Sequence, residues 1–212
     1  MQRAFNQFNN NIKSVKELEI LHYHLISEMQ LPNDLSDILR SQLVYAVSAL
    51  DKLIHELVRI GMLQSFLGQR LKTNKFNTFS ISLETYNKIQ QLSQSTEILQ
   101  LERPEHFFEQ EIIAKHKHLA FQDPDKIADA LSFIWEEKQK WQKIAHSLTM
   151  SDDYIKKRLK NIVSRRNQIV HESDIDVQTN LRNSIDACDV KESVDFISLL
   201  GQKIFNAVNL NP

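Results

Sequence analysis

Apolar residues return every three or four positions along most of this chain, the spacing that lays one buried stripe along a helix. Over residues 3–29, Phe5, Phe8, Ile12, Val15, Leu18, Leu21 and Leu25 keep such a stripe, and Leu31-Pro32-Asn33-Asp34 predicts the turn that follows. From Ser36 to Leu63, Leu39, Leu43, Ala46, Val47, Leu50, Leu53, Ile54 and Leu57 hold one face apolar, which predicts a long central packing helix. The stretch Gly68 to Leu101 is rich in Thr, Asn, Ser and Gln, with short amphipathic pieces at Phe76–Ile81 and Leu83–Leu92, and reads as short helices and loops. Pro104 suits the first turn of a further helix, whose buried face is Phe107, Phe108, Ile112 and Ile113. After Asp123-Pro124-Asp125, the pattern predicts one helix from Ile127 to Leu148 containing Trp135 and Trp141. Thr149 to Asp153 then reads as a helix start, with small oxygen-bearing side chains and early negative charge. That helix falters after His171, and a final one runs from about Val190 to Val208.

Composition points the same way. Only three Gly and four Pro are spread over 212 residues, too few for the tight turns of a sheet, so the chain is expected to be all-α. Its length suits a single domain over 1–212. A formal charge of −1 and a pI near 6.7 supply no global basic field for nucleic acid. Locally, Lys156, Lys157, Arg158, Lys160, Arg165 and Arg166 crowd one helix against Asp152 and Asp153, either as a solvated face or as a surface for a polyanion. A lone cysteine, Cys188, excludes an intrachain disulfide. No secretory signal or membrane-spanning run is visible, so a soluble cytoplasmic protein is expected.

One helix carries a cation where the pattern calls for hydrocarbon. At about 100° per residue, Ile155, Leu159, Ile162, Val163, Ile169 and Val170 make one apolar stripe with Arg166 at its centre. A buried charge without a partner is expensive. Arg166 is therefore either paired, with Glu172 or Asp174 as nearby acids, or presented to an interface or cleft. Asn167 and His171, four residues apart, lie on the adjoining flank.

Arg166, the polar Asn167, three more residues and His171 resemble the signature of the HEPN superfamily, whose active members are metal-independent ribonucleases. The stretch RRNQIVHESD, from Arg165 to Asp174, is similar to the terminal motif of the RiboL-PSP-HEPN type. An upstream block from Asp37 through Val44–Asp51 to Val58, and the opening AFNQF at Ala4–Phe8, resemble the rest of that family. The resemblance implies an antiparallel helical bundle of HEPN type with a helical insertion, about 68–125. It also implies a homodimer in which two copies of Arg166 and His171 converge across a two-fold axis. Arg166, His171 and Asn167 are then the catalytic candidates for cleaving RNA. Asp51, which the resemblance places near the motif to orient Arg166 or His171, is auxiliary, as are Glu172 and Asp174. The chemistry needs both main residue types: a histidine exchanges protons with ribose and leaving-group oxygens, and an arginine matches phosphate oxygens with a planar fork of donors. A role as toxin or effector of a bacterial defence or toxin–antitoxin system, with a partner protein to restrain it, is the corresponding biology. The alternatives are a non-catalytic HEPN module for dimerisation or for binding RNA or another ligand, and a plain helical scaffold.

Other chemistries find little support. Asp51 and His55, and with them Glu56, read most simply as a helix-surface cluster. His22 with His24, and His116 with His118, are two apart, about 200° round a helix, which is wrong for one shared metal ion. No metal and no cofactor is expected. Gly61, Gly68 and Gly201 make no phosphate-cradling loop, and no serine or threonine sits in a nucleophile motif.

Overall fold

A computed structural model describes residues 1–32, 34–94 and 103–209. Its elements are α1 (Gln2–Tyr23), continued by a π-helical turn (His24–Glu28), then α2 (Ser36–Phe66), α3 (Asn74–Asn77), α4 (Leu83–Gln94), α5 (Pro104–His116), α6 (Pro124–Leu131), α7 (Lys140–Leu148), α8 (Asp152–His171) and α9 (Ala187–Asn209). The protein is an all-α helical bundle, and among the described residues no strand forms beyond one isolated bridge, Ile175 with Arg182. Residues 95–101 of the polar stretch and Asn33 of the predicted turn lie outside the described residues.

The long helix α2 is central, with Leu50, Ile54, Leu57 and Met62 fully buried among its neighbours. Helices α1 and α9 pack on it and run antiparallel to each other. Their register is set at both ends by Phe5 stacked on Phe205 at 4.3 Å and by the ion pairs Lys16–Asp195 and Lys191–Glu19. Gly201 makes the close approach possible, because a Cβ there would meet the Phe8 ring at 2.4 Å. Phe8, Leu50, Ile112, Ile127, Ile144, Ile155 and Ile204 belong to one continuous hydrophobic core.

The segment 68–125 is fastened by aromatic packing. Phe108 of α5 stacks on Phe66 at 4.6 Å and meets Phe76 and Phe79 edge-on, while Phe79 meets Phe133 edge-on at 5.7 Å. Pro104 takes the first turn of α5, as its missing N–H favours.

The predicted helix Ile127–Leu148 is two helices. α6 tightens at its end, where Phe133 and Ile134 donate to carbonyls three residues back, and Trp135 falls in the connection. The interruption is held by distant groups. The Phe133 carbonyl accepts from the Thr73 hydroxyl at 3.1 Å, the Ile134 carbonyl accepts from Arg70 at 3.0 Å, and the Glu136 carboxylate accepts from the backbone and side chain of Asn74. Carbonyls that a continuous helix would have used thus bond to the loop after α2 instead. No helix among the described residues is long and apolar enough to cross a membrane.

Candidate active site

Ser151 caps α8 by accepting from the Tyr154 N–H at 3.2 Å, with Asp152 and Asp153 in the first turn against the positive end of the helix. Ile155, Leu159 and Ile162 are buried. Beyond Ile162 the cover thins: Val163, Arg166 and Ile169 are only half-buried and Val170 is exposed. The apolar stripe runs out from under its neighbours with Arg166 in the middle of the uncovered part.

Arg166 has no carboxylate partner among the described residues. Its Nη1 donates to Asn167 Oδ1 at 2.9 Å, and its buried Nε has no acceptor. Leaving a buried donor unmet costs about 1–3 kcal/mol. Asn167 therefore steadies Arg166. His171 is exposed on the last turn, and no hydrogen bond or ion pair holds its ring among the described residues. Five positions along a helix turn the direction by about 140°, so within one chain Arg166 and His171 leave α8 on different flanks.

The neighbouring arginine has the opposite fate. Arg165 grips Asp174, donating to it through Nη1 and, at 2.9 Å, through Nη2. Arg40, near the start of α2, donates its Nε to the same carboxylate at 2.6 Å and its Nη2 to the Asn183 carbonyl at 2.7 Å. Asp174 is wholly buried, so the carboxylate sits between two guanidinium groups away from water. The backbone reaches this point by ending α8 abruptly. Glu172 and Asp174 both donate their N–H groups to the Gln168 carbonyl, and Ser173 and Asp174 take left-handed conformations, φ 54° and 59°. Glu172 itself is exposed, and its side chain makes no hydrogen bond among the described residues.

Asp51 does not join this group. It accepts from the Phe121 N–H at 2.6 Å and from Gln122 Nε2 at 3.2 Å, pinning the loop after α5. It lies eleven residues along α2 from Arg40, about 16 Å, so the expected contact with Arg166 or His171 is replaced by one with that loop. His55 bonds to the Leu119 carbonyl at 3.1 Å, and Glu56 pairs with Lys52 and Arg59. Among the described residues no three His, Cys, Asp or Glu side chains converge as a metal site.

Arg40 is the residue that motif reading undervalued. Its signal was a charged residue at a position on α2 neighbouring the buried Leu39 and Leu43.

With this geometry in view, comparison with known families matches residues 9–210 to RiboL-PSP-HEPN. The chain belongs to the RiboL-PSP-HEPN family. The match spans both α2 and α8, and so includes Arg40, Arg166, His171 and Asp174 in one domain. Comparisons with curated proteins and with solved structures find no match. The HEPN assignment agrees with the all-α bundle.

Proposed function

We propose that this RiboL-PSP-HEPN protein is a metal-independent endoribonuclease that acts as a homodimer. The observation that carries the proposal is the uncovered end of α8. Arg166 stands in an open apolar stripe with a buried donor lacking an acceptor, and the His171 ring is free and solvent-facing one turn on. A second copy laid on the stripe about a two-fold axis buries the apolar part and brings two Arg166 and two His171 side chains to one cleft. This also answers the divergence of Arg166 and His171 within one chain, because each can work with its counterpart across the axis.

In the reaction, a ribose 2′-oxygen attacks the adjacent phosphorus. One His171 takes the 2′-hydroxyl proton, the phosphorus–O5′ bond breaks, and the second His171 delivers a proton to O5′. Arg166 carries the charge that grows on the non-bridging oxygens, with Asn167 holding the guanidinium in line. The reading needs no metal ion. The physiological setting that goes with it is a toxin or effector of a defence or toxin–antitoxin system, restrained by a partner protein.

The test is purified protein on total RNA and on tRNA, beside His171→Ala. Products should end in 2′,3′-cyclic phosphate and 5′-hydroxyl, survive excess chelator, and be absent with DNA. Ends of 3′-hydroxyl and 5′-phosphate, or an unchanged rate in His171→Ala, overturn the mechanism. The divergence of Arg166 and His171 in one chain supports a second reading, a non-catalytic dimerisation or ligand-binding module. Cleavage that follows His171 decides against it.

A further inference from the structure

From Tyr154 to His171 the motif helix contains no carboxylate and six Lys or Arg residues. Lys157, Lys160, Ser164, Asn167 and His171 succeed one another at intervals of three, four, three and four, so they form a single polar stripe on the side of α8 turned from the core. All are exposed except Asn167, which is half-buried. From Lys157 to His171 the stripe is about 21 Å long. Lys157 makes no ion pair among the described residues, and Lys160 reaches only Asp125, at 3.5 Å.

Beside the far end of this stripe, α8 and α9 enclose a groove of about 650 Å³. Its α8 wall carries Tyr154, Lys157 and Asn161, and its α9 wall carries Asp189, Glu192 and Ser193. The walls are braced by Arg158. That side chain stacks on Phe196 at 4.8 Å, donates to the Tyr154 hydroxyl at 3.1 Å and donates to the Glu192 carbonyl at 3.2 Å. The Tyr154 ring is half-exposed.

We propose that the stripe and groove bind a single-stranded stretch of RNA flanking the bond that is cut. This rests on the ribonuclease reading and extends it to the substrate class. Phosphates lie along Lys157 and Lys160, leading to His171, while bases turn into the groove. The groove's charges are divided, with Lys157 and Arg158 on the α8 side and Asp189 and Glu192 on the α9 side, beside apolar lining that includes Ile162. Glu192 pairs with Arg158 at 3.6 Å, which leaves Asp189 as the carboxylate that repels phosphate and accepts from N–H groups, so the backbone is held to α8 and base edges with amino donors face α9. Tyr154 offers a ring on which a base stacks. A paired strand cannot turn its bases this way, which favours loops and unpaired ends over duplex.

The experiment measures binding of short fluorescent oligo(C) and oligo(U) to His171→Ala protein by anisotropy over a salt series, in parallel with cleavage by the parent protein. Adding Lys157→Glu and Lys160→Glu should weaken binding about tenfold or more and lower the salt slope by about 1.4, two phosphate contacts on a single strand. Asp189→Asn should reduce the preference for oligo(C), whose bases carry the amino donor, over oligo(U). Unchanged affinity and slope in the double variant, with the parent protein cleaving RNA, overturn the groove and leave the ribonuclease standing. Salt-dependent binding lost in the double variant, without cleavage by the parent, supports the groove and removes the catalytic reading. Absence of RNA binding by every form overturns both and leaves the groove to a protein partner. Thermal melts matching the parent establish that these exposed substitutions leave the fold intact.

Discussion

Two adjacent arginines do different work. Arg165 is consumed by Asp174, while Arg166 keeps a buried donor without an acceptor. Arg166→Lys is therefore expected to lose most of the activity that His171→Ala loses, about two to four orders of magnitude if proton transfer and charge stabilisation are of ordinary size, because a point charge cannot reproduce the fork. Arg166→Met should keep or raise the melting temperature, since it returns hydrocarbon to an apolar stripe. A parallel loss of fold and activity in both variants would assign Arg166 a structural role.

His116 is a second residue with a measurable consequence. Burial holds its pKa below the ordinary 6.5, and the nearby His55, Lys75 and Lys115 push it the same way. Its ring sits among Phe79, Phe121 and Phe133. The unfolded chain thus binds the proton more readily than the folded one. The contribution to stability is whole above pH 6.5 and is lost as the pH falls from there through the depressed folded value. Urea melts across that window should steepen their decline below pH 6.5, and His116→Gln should flatten it.

Among the elements, the strongest dependence is that of α8 on its own exit loop. Asp174→Ala leaves Arg40 buried without its carboxylate and is expected to cost about 3–5 kcal/mol. Asp174→Asn should cost less and still slow the reaction. If Asp174→Ala melts like the parent, the clamp does not hold the end of α8. This contact also marks where sequence reading stops. The Ser151 cap, Pro104 in a first helical turn and the end of α8 after His171 are local, and neighbouring residues disclosed them. The break between α6 and α7 depends on Thr73 and Arg70, about sixty residues upstream. A helical wheel places Arg166 on the apolar stripe but does not say that cover ends after Ile162. The partners of Asp51, the Phe121 N–H and Gln122, were invisible because the loop that brings them there follows another helix.

At the scale of the molecule, the homodimer proposal makes the uncovered half-stripe of α8 the seam for a second copy. Light scattering should give a dimer, and Val170→Glu, which sets like charges against each other at the seam, should shift it to monomer and abolish cleavage together. A monomer that cleaves RNA at full rate would separate the active site from any two-fold axis.

The Asp174 clamp has a consequence in time. Arg40 is made early and waits for a carboxylate 134 residues downstream and a carbonyl 143 residues downstream. With synthesis at roughly 5–20 residues per second, α2 waits roughly 7–27 s before the carboxylate partner of Arg40 is added. The end of α8 that bears Arg166 and His171 is locked only after Asn183 has joined it. On the ribonuclease proposal, the site is therefore assembled only after the whole stretch from Arg40 to Asn183 has been synthesised.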